Sequence, residues 1–160
     1  MITAAVIVHP RLAEASFTKA IQPLLTGPER FEKFGVKLLG FEFPHLDLEL
    51  DWHRFGAKVH LRVDGTDFPY RPVDGGWIGA DGAPLLPGVQ LMPGGMGFHT
   101  ATYEGNPGCG FCFKGWRFYH DHQSHQDVSW ATIRRDARYS VLQLVMQLQR
   151  DLNSEGVTRA

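Results

Sequence analysis

Two runs decide the fold: Leu46-Asp47-Leu48-Glu49-Leu50-Asp51-Trp52 and Ala57-Lys58-Val59-His60-Leu61-Arg62-Val63. In both, apolar and polar side chains alternate with a period of two. Successive side chains of an extended chain point to opposite faces, so this alternation predicts half-buried antiparallel strands with one wet face. The link His53-Arg54-Phe55-Gly56 is short enough for a hairpin, and Val36 to Phe43 supplies a third strand. Upstream, Pro10 to Leu25 sets Leu12, Ala15, Ala20 and Leu24 loosely at helical spacing, and Pro23 ends the pattern. Residues 3–8 read equally as an extension of that helix or as a short strand. Downstream, Asp127 or Ser129 is an N-cap for a long helix running to about Asn153, with Gly156 just beyond. Trp130, Ile133, Ala137, Val141, Leu144, Val145, Leu148 and Leu152 form its apolar stripe, opposite Arg134, Arg135, Gln143, Gln147 and Arg150. The expected architecture is a single α+β domain over residues 1–160. It has an N-terminal helix, an antiparallel meander of about four strands, a long Gly/Pro-rich segment, and a long C-terminal helix packed on the sheet.

Composition narrows the function. A chain of 160 residues with 43% apolar content has the size and core of one domain. Its 16 basic residues are balanced by 17 acidic ones, which argues against nucleic-acid binding by counterion release and against a polybasic membrane anchor. Apolar runs are broken by Pro, Gly or charge, so no membrane span is expected. The start of the chain lacks a basic leader and reaches His9-Pro10 too soon for a signal peptide. The two cysteines, Cys109 and Cys112, lie three apart, which makes a disulfide scaffold a poor fit and a cytoplasmic location the expectation. Between Gly65 and Gly115 fall 13 of the 18 glycines and 6 of the 10 prolines. That middle third cannot be mainly helix, because Pro removes a donor and Gly weakens a helix interior. Long ordered loops of this kind are where binding and catalysis concentrate.

Within it, Gly108-Cys109-Gly110-Phe111-Cys112-Phe113 carries the reactive groups. A thiol between two phenylalanines can be a plain core residue. It can equally be a loop nucleophile that attacks an acyl group or a disulfide. The C-x-x-C spacing also suggests a thioredoxin-type redox box, but such a box follows an early strand in a parallel sheet, and this one comes late, after an antiparallel meander. Tyr119-His120-Asp121-His122-Gln123-Ser124-His125 places three histidines in six residues downstream. Zinc held by Cys109, Cys112, His120 and either His122 or His125 is one reading, although the spacing is not a familiar finger pattern. A polar loop before the last helix is the simpler one. Between them stands a third: one of these histidines lies beside the Cys112 thiol and handles a proton during acyl transfer.

A wider pattern joins these residues. Phe68-Pro69-Tyr70-Arg71-Pro72 follows the meander, His99 precedes the polar turn Tyr103-Glu104-Gly105-Asn106, Gly110-Phe111-Cys112-Phe113 comes next, and Trp130 opens the apolar helix. In this order the chain resembles a ubiquitin-conjugating enzyme, and within that family the divergent bacterial members. The resemblance covers about residues 10 to 153. It implies that Cys112 accepts a ubiquitin-like protein as a thioester from an activating enzyme and passes it to an amine on a target protein. It also implies that His99 organises the loop, and that no cofactor is needed at this step. The bacterial members are encoded beside a deconjugating metalloprotease and act in ubiquitination-like pathways, antiviral defence among them. Two departures stand out. Thr100 and Ala101 replace the Pro and Asn of the family's His-Pro-Asn motif, which leaves Asn106 as the candidate amide for oxyanion support. The segments from Pro72 to His99 and from Cys112 to Trp130 are longer than usual. Cys109 is the competing thiol, but the Gly110-Phe111-Cys112-Phe113 context matches the motif better. Two alternatives remain beside the conjugating enzyme: an inactive adaptor of the same fold, and a zinc-stabilised Cys/His binding protein.

Overall fold

The computed structural model describes residues 8–53, 56–84, 91–92, 98–99, 110–122, 125, 127–154 and 158–159. The first helix, α1, spans Pro10–Ala20, with Pro in the first turn, where its missing N–H costs nothing. It is followed by α2 (Gln22–Thr26) and α3 (Glu29–Glu32). Pro23 therefore opens a second short helix as well as ending the first. The buried positions are Ala13, Phe17, Ile21 and Leu24, while Leu12 of the expected stripe is 64% exposed. Phe17 decides which face turns inward: its ring lies 5.9, 6.2 and 5.8 Å from those of Phe41, Phe43 and Phe68.

The sheet follows: β1 (Val36–Glu42), β2 (His45–Trp52), β3 (Ala57–Asp64) and β4 (Asp74–Ile78), each antiparallel to the next. The β2–β3 register runs without interruption from His45 opposite Asp64 to Trp52 opposite Ala57. Leu46, Leu48, Leu50 and Trp52 are buried on one face with Val59, Leu61 and Val63. On the other face, Asp47 receives two hydrogen bonds from the Arg62 guanidinium at 2.8 and 3.0 Å, and Glu49 meets Lys58 at 3.1 Å and His60 at 3.3 Å. His45 and Asp64 are 3.6 Å apart, as are Lys58 and Asp51. A bulge between Leu38 and Gly40 leaves Leu39 facing out.

β4 falls inside the Gly/Pro-rich stretch and is the fourth strand of the meander. Its sequence, Asp74-Gly75-Gly76-Trp77-Ile78, has poor strand composition, and tertiary packing overrides it. Trp77 is buried, and a Cβ on Gly75 would stand 2.5 Å from Cζ3 of Trp116 and 3.0 Å from Cε2 of Phe111. The glycine is what lets two aromatic rings lie directly on the strand. Two short ladders add to the described β structure: β5 (Leu91–Met92), β6 (Phe98–His99), β7 (Gly110–Phe111) and β8 (Thr158–Arg159), with β5 paired to β8 and β6 to β7.

The C-terminal helix is shorter than the apolar stripe predicts. After α4 (Arg117–Asp121), the chain forms α5 (Trp130–Ile133), a 3-10 turn at Ala137–Tyr139, and α6 (Val141–Asn153). Asp136 breaks the run: its carboxylate accepts the backbone N–H of Arg138 at 2.9 Å and the Arg138 guanidinium as well, and both Asp136 and Ser140 adopt extended backbone. Asp and Ser offer the backbone a local alternative to helix, and here it wins. Helix α6 buries Val141, Leu144, Val145, Leu148 and Leu152 in the same core as the inner face of the sheet. Its end is pinned to the β2–β3 hairpin: Gln149 and Asn153 both donate to the Asp51 carbonyl, and the His53 N–H donates to Asn153 Oδ1 at 2.7 Å.

Candidate functional site

Strand β7 delivers the thiol. Phe111 is 1% exposed and wedged edge-on between Trp77 and Trp116, with centroids 5.1 and 5.2 Å away. That anchor fixes the backbone, and the next residue, Cys112, emerges half-buried. Gly115, at φ +99°, then turns the chain; a Cβ there would strike Leu144 of α6 at 2.5 Å, so both the conformation and the space call for glycine. Its N–H donates to His120 Nε2 at 3.0 Å, tying the turn to α4. Helix α4 is held in turn by Arg117, whose backbone N–H donates to Val73 and whose guanidinium donates to the carbonyls of Thr66 and Pro72 at 2.6 and 3.1 Å. The Trp130 indole N–H donates to the Pro69 carbonyl at 2.8 Å. The 65–73 segment, α4 and α5 thus form one mounting around the thiol.

The chemistry lies in one contact: Cys112 Sγ is 2.9 Å from His125 Nε2. The imidazole lies flat on the buried Tyr119 ring, with centroids 4.2 Å apart and planes 15° apart. The Tyr119 hydroxyl donates to Asp127 at 3.1 Å. Burial pushes the Cys112 thiol above its ordinary value. That favours the protonated form of the sulfur, which has the imidazole nitrogen within hydrogen-bond distance. Burial holds His120 below the ordinary imidazole range, a shift that Val128's backbone, Asp121 and Asp127 only partly offset. Neutral and accepting at Nε2, His120 serves as a strut.

The residues singled out from the sequence separate into groups. Cys112 and one of the downstream histidines meet, as the proton-handling reading expected, and the histidine is His125. His99 is placed by its backbone opposite Gly110 in the β6–β7 ladder, two residues before the thiol. Asn106 and Cys109 lie outside the described residues. His122 sits with its ring 6.2 Å from Phe118 and 5.4 Å from His125. For the zinc set, His120 Nε2 is already engaged by Gly115, and among the described residues no group of three or more His, Cys, Asp or Glu could hold a metal. Arg117 spends its guanidinium on backbone carbonyls. Sequence reasoning missed Tyr119 and Asp127 as parts of the site. An aromatic six residues before a histidine carries no spacing signal, because six matches neither i+3 nor i+4 on a helix face.

Among the described residues no helix is long and apolar enough to cross a membrane. The chain is an α+β domain presenting a cysteine–histidine pair. No protein-family model matches it, and no curated protein matches it in sequence.

Proposed function

We propose that the protein is a thioester-forming acyltransferase of the ubiquitin-conjugating type, acting in a bacterial ubiquitination-like pathway. Cys112 receives a ubiquitin-like protein from an activating enzyme and passes it to an amine on a target. The observation that carries this reading is the half-buried Cys112 thiol with His125 Nε2 at 2.9 Å, at the end of a helix–meander–proline-segment order. In the first step the sulfur attacks the donor thioester carbonyl while its proton passes to Nε2. The new S–C bond forms, the donor's S–C bond breaks, and the donor thiolate takes the proton back. In the second step the amine nitrogen attacks, the C–N bond forms and the C–S bond breaks. The amine proton moves through His125 to the departing Cys112 sulfur. His99 is assigned to organising the approach to the thiol, and Asn106 to supporting the oxyanion. No cofactor enters either step, since adenylation belongs to the activating enzyme.

Incubation with the activating enzyme, ATP and the ubiquitin-like protein should give an adduct that thiol reductants cleave. Cys112→Ala should abolish it, and Cys112→Ser should convert it to an adduct that resists reductant. An adduct that survives Cys112→Ala moves the nucleophile elsewhere. The absence of any adduct leaves the adaptor reading.

A further inference from the structure

We infer that Tyr119 and Asp127 are positioning residues that hold the His125 imidazole on the Cys112 sulfur and favour its protonated state. This rests on the proposed reading of Cys112 as nucleophile and His125 as its proton acceptor. His125 itself lies outside any helix or strand, before α5. What fixes it is Tyr119, on the buried side of α4, whose ring supports the imidazole from below at 4.2 Å and nearly parallel. Tyr119 is fixed in its turn by its hydroxyl on the exposed Asp127 carboxylate. Among the described residues, Cys112, Tyr119 and His122 face the imidazole, with Asp127 acting through Tyr119 and the Lys114 ammonium acting on Asp127.

Two physical effects follow from this stack. A ring held flat on a surface keeps Nε2 aimed at one point, here the sulfur, and so preserves the near-attack geometry. An aromatic face also attracts a cation more than a neutral ring, so the stack strengthens when the proton crosses from sulfur to nitrogen. The hydroxyl–carboxylate hydrogen bond keeps the phenol ring from rotating away and adds negative charge on its far side. Tyr119 thereby stabilises the thiolate–imidazolium form over the thiol–imidazole form without touching either reacting atom.

The test uses the whole chain with Cys109→Ser, so that one thiol reports, and needs no partner. Iodoacetamide alkylation is followed by intact mass from pH 6 to 10; the thiolate displaces iodide, forming S–C as C–I breaks. His125→Gln should slow alkylation at pH 7 and move the profile to higher pH. Tyr119→Leu should move it the same way, with a loss of roughly three- to thirty-fold at pH 7, the range a desolvated cation–aromatic contact supplies. Tyr119→Phe keeps the stack and should recover most of that loss. Asp127→Ala removes the same hydrogen bond and should match Tyr119→Phe, and the two together should be no slower than either alone. Combined with His125→Gln, Tyr119→Leu should add nothing. If His125→Gln shifts the profile but Tyr119→Leu, Tyr119→Phe and Asp127→Ala all superimpose on the parent, the positioning role is overturned while the proton acceptor stands. An unchanged profile in His125→Gln removes the acceptor itself. Should Tyr119→Leu fail to fold, Asp127→Ala at the exposed position decides: a shift matching Tyr119→Phe sustains the inference, and none overturns it.

Discussion

Two histidines five residues apart do opposite work in this protein, and burial explains the difference. His125 lies beside the thiol, whereas His120 is held neutral between α4 and the Gly115 turn. On unfolding, His120 regains an ordinary value near 6.5. Below that pH the unfolded chain binds more protons than the native one, so stability falls on acidification until the folded imidazole titrates too. His120→Gln, whose amide oxygen can still receive the Gly115 N–H, should remove this contribution. The expected outcome in thermal melts is a smaller drop in Tm between pH 7 and pH 5 than the wild type shows, and an equal or larger drop would refute the assignment. That a histidine would stand beside Cys112 was legible in the sequence from the density of imidazoles downstream. Which one was not, since the three differ only in how the loop turns them.

At the scale of elements, alternation was the reliable signal and glycine the misleading one. Strands β2 and β3 could be read to within one residue at each end because nearly every second side chain is apolar and the partner positions carry charge. Strand β4 was hidden because its strength lies in Phe111 and Trp116, more than thirty residues away, which need Gly75 to leave room. Gly75→Ala should therefore destabilise despite alanine's lower conformational entropy in the unfolded chain. Overpacking at such a site costs about 1–3 kcal/mol, readable as a lower midpoint in urea unfolding. A midpoint equal to or above the wild type would mean that the rings move aside easily. The C-terminal stripe misled in the other direction. Its spacing stays helical across Asp136 and Ser140, yet their side chains and backbone set a break that a hydrophobic period cannot register.

The molecule as a whole is held by a few long reaches: α6 to the hairpin through Asp51 and His53, and α5 to the proline segment through Trp130. Between these, the polar face of the sheet sets one charge against its opposite at successive positions. Removing one partner of its best pair, with Arg62→Ala, should lower stability by about 0.5–1 kcal/mol, as expected for partly exposed ions. Asp47→Arg should cost more, and Asp47→Arg combined with Arg62→Asp should regain most of the loss in thermal melts. If the double variant melts no higher than the worse single one, the pair contributes no specific attraction. The pairing also bears on alternative registers. Sliding β3 by one residue along β2 would turn leucines to water, but sliding it by two keeps every apolar contact in kind, so hydrophobicity alone does not forbid it. The charges discriminate where the leucines cannot: one such slip sets Asp47 against Asp64, and the other sets Arg62 against His45, and both break the two-pronged Asp47–Arg62 contact. The polar side of this sheet thus acts as a combination lock on strand alignment, admitting one of the registers that the oily side would accept.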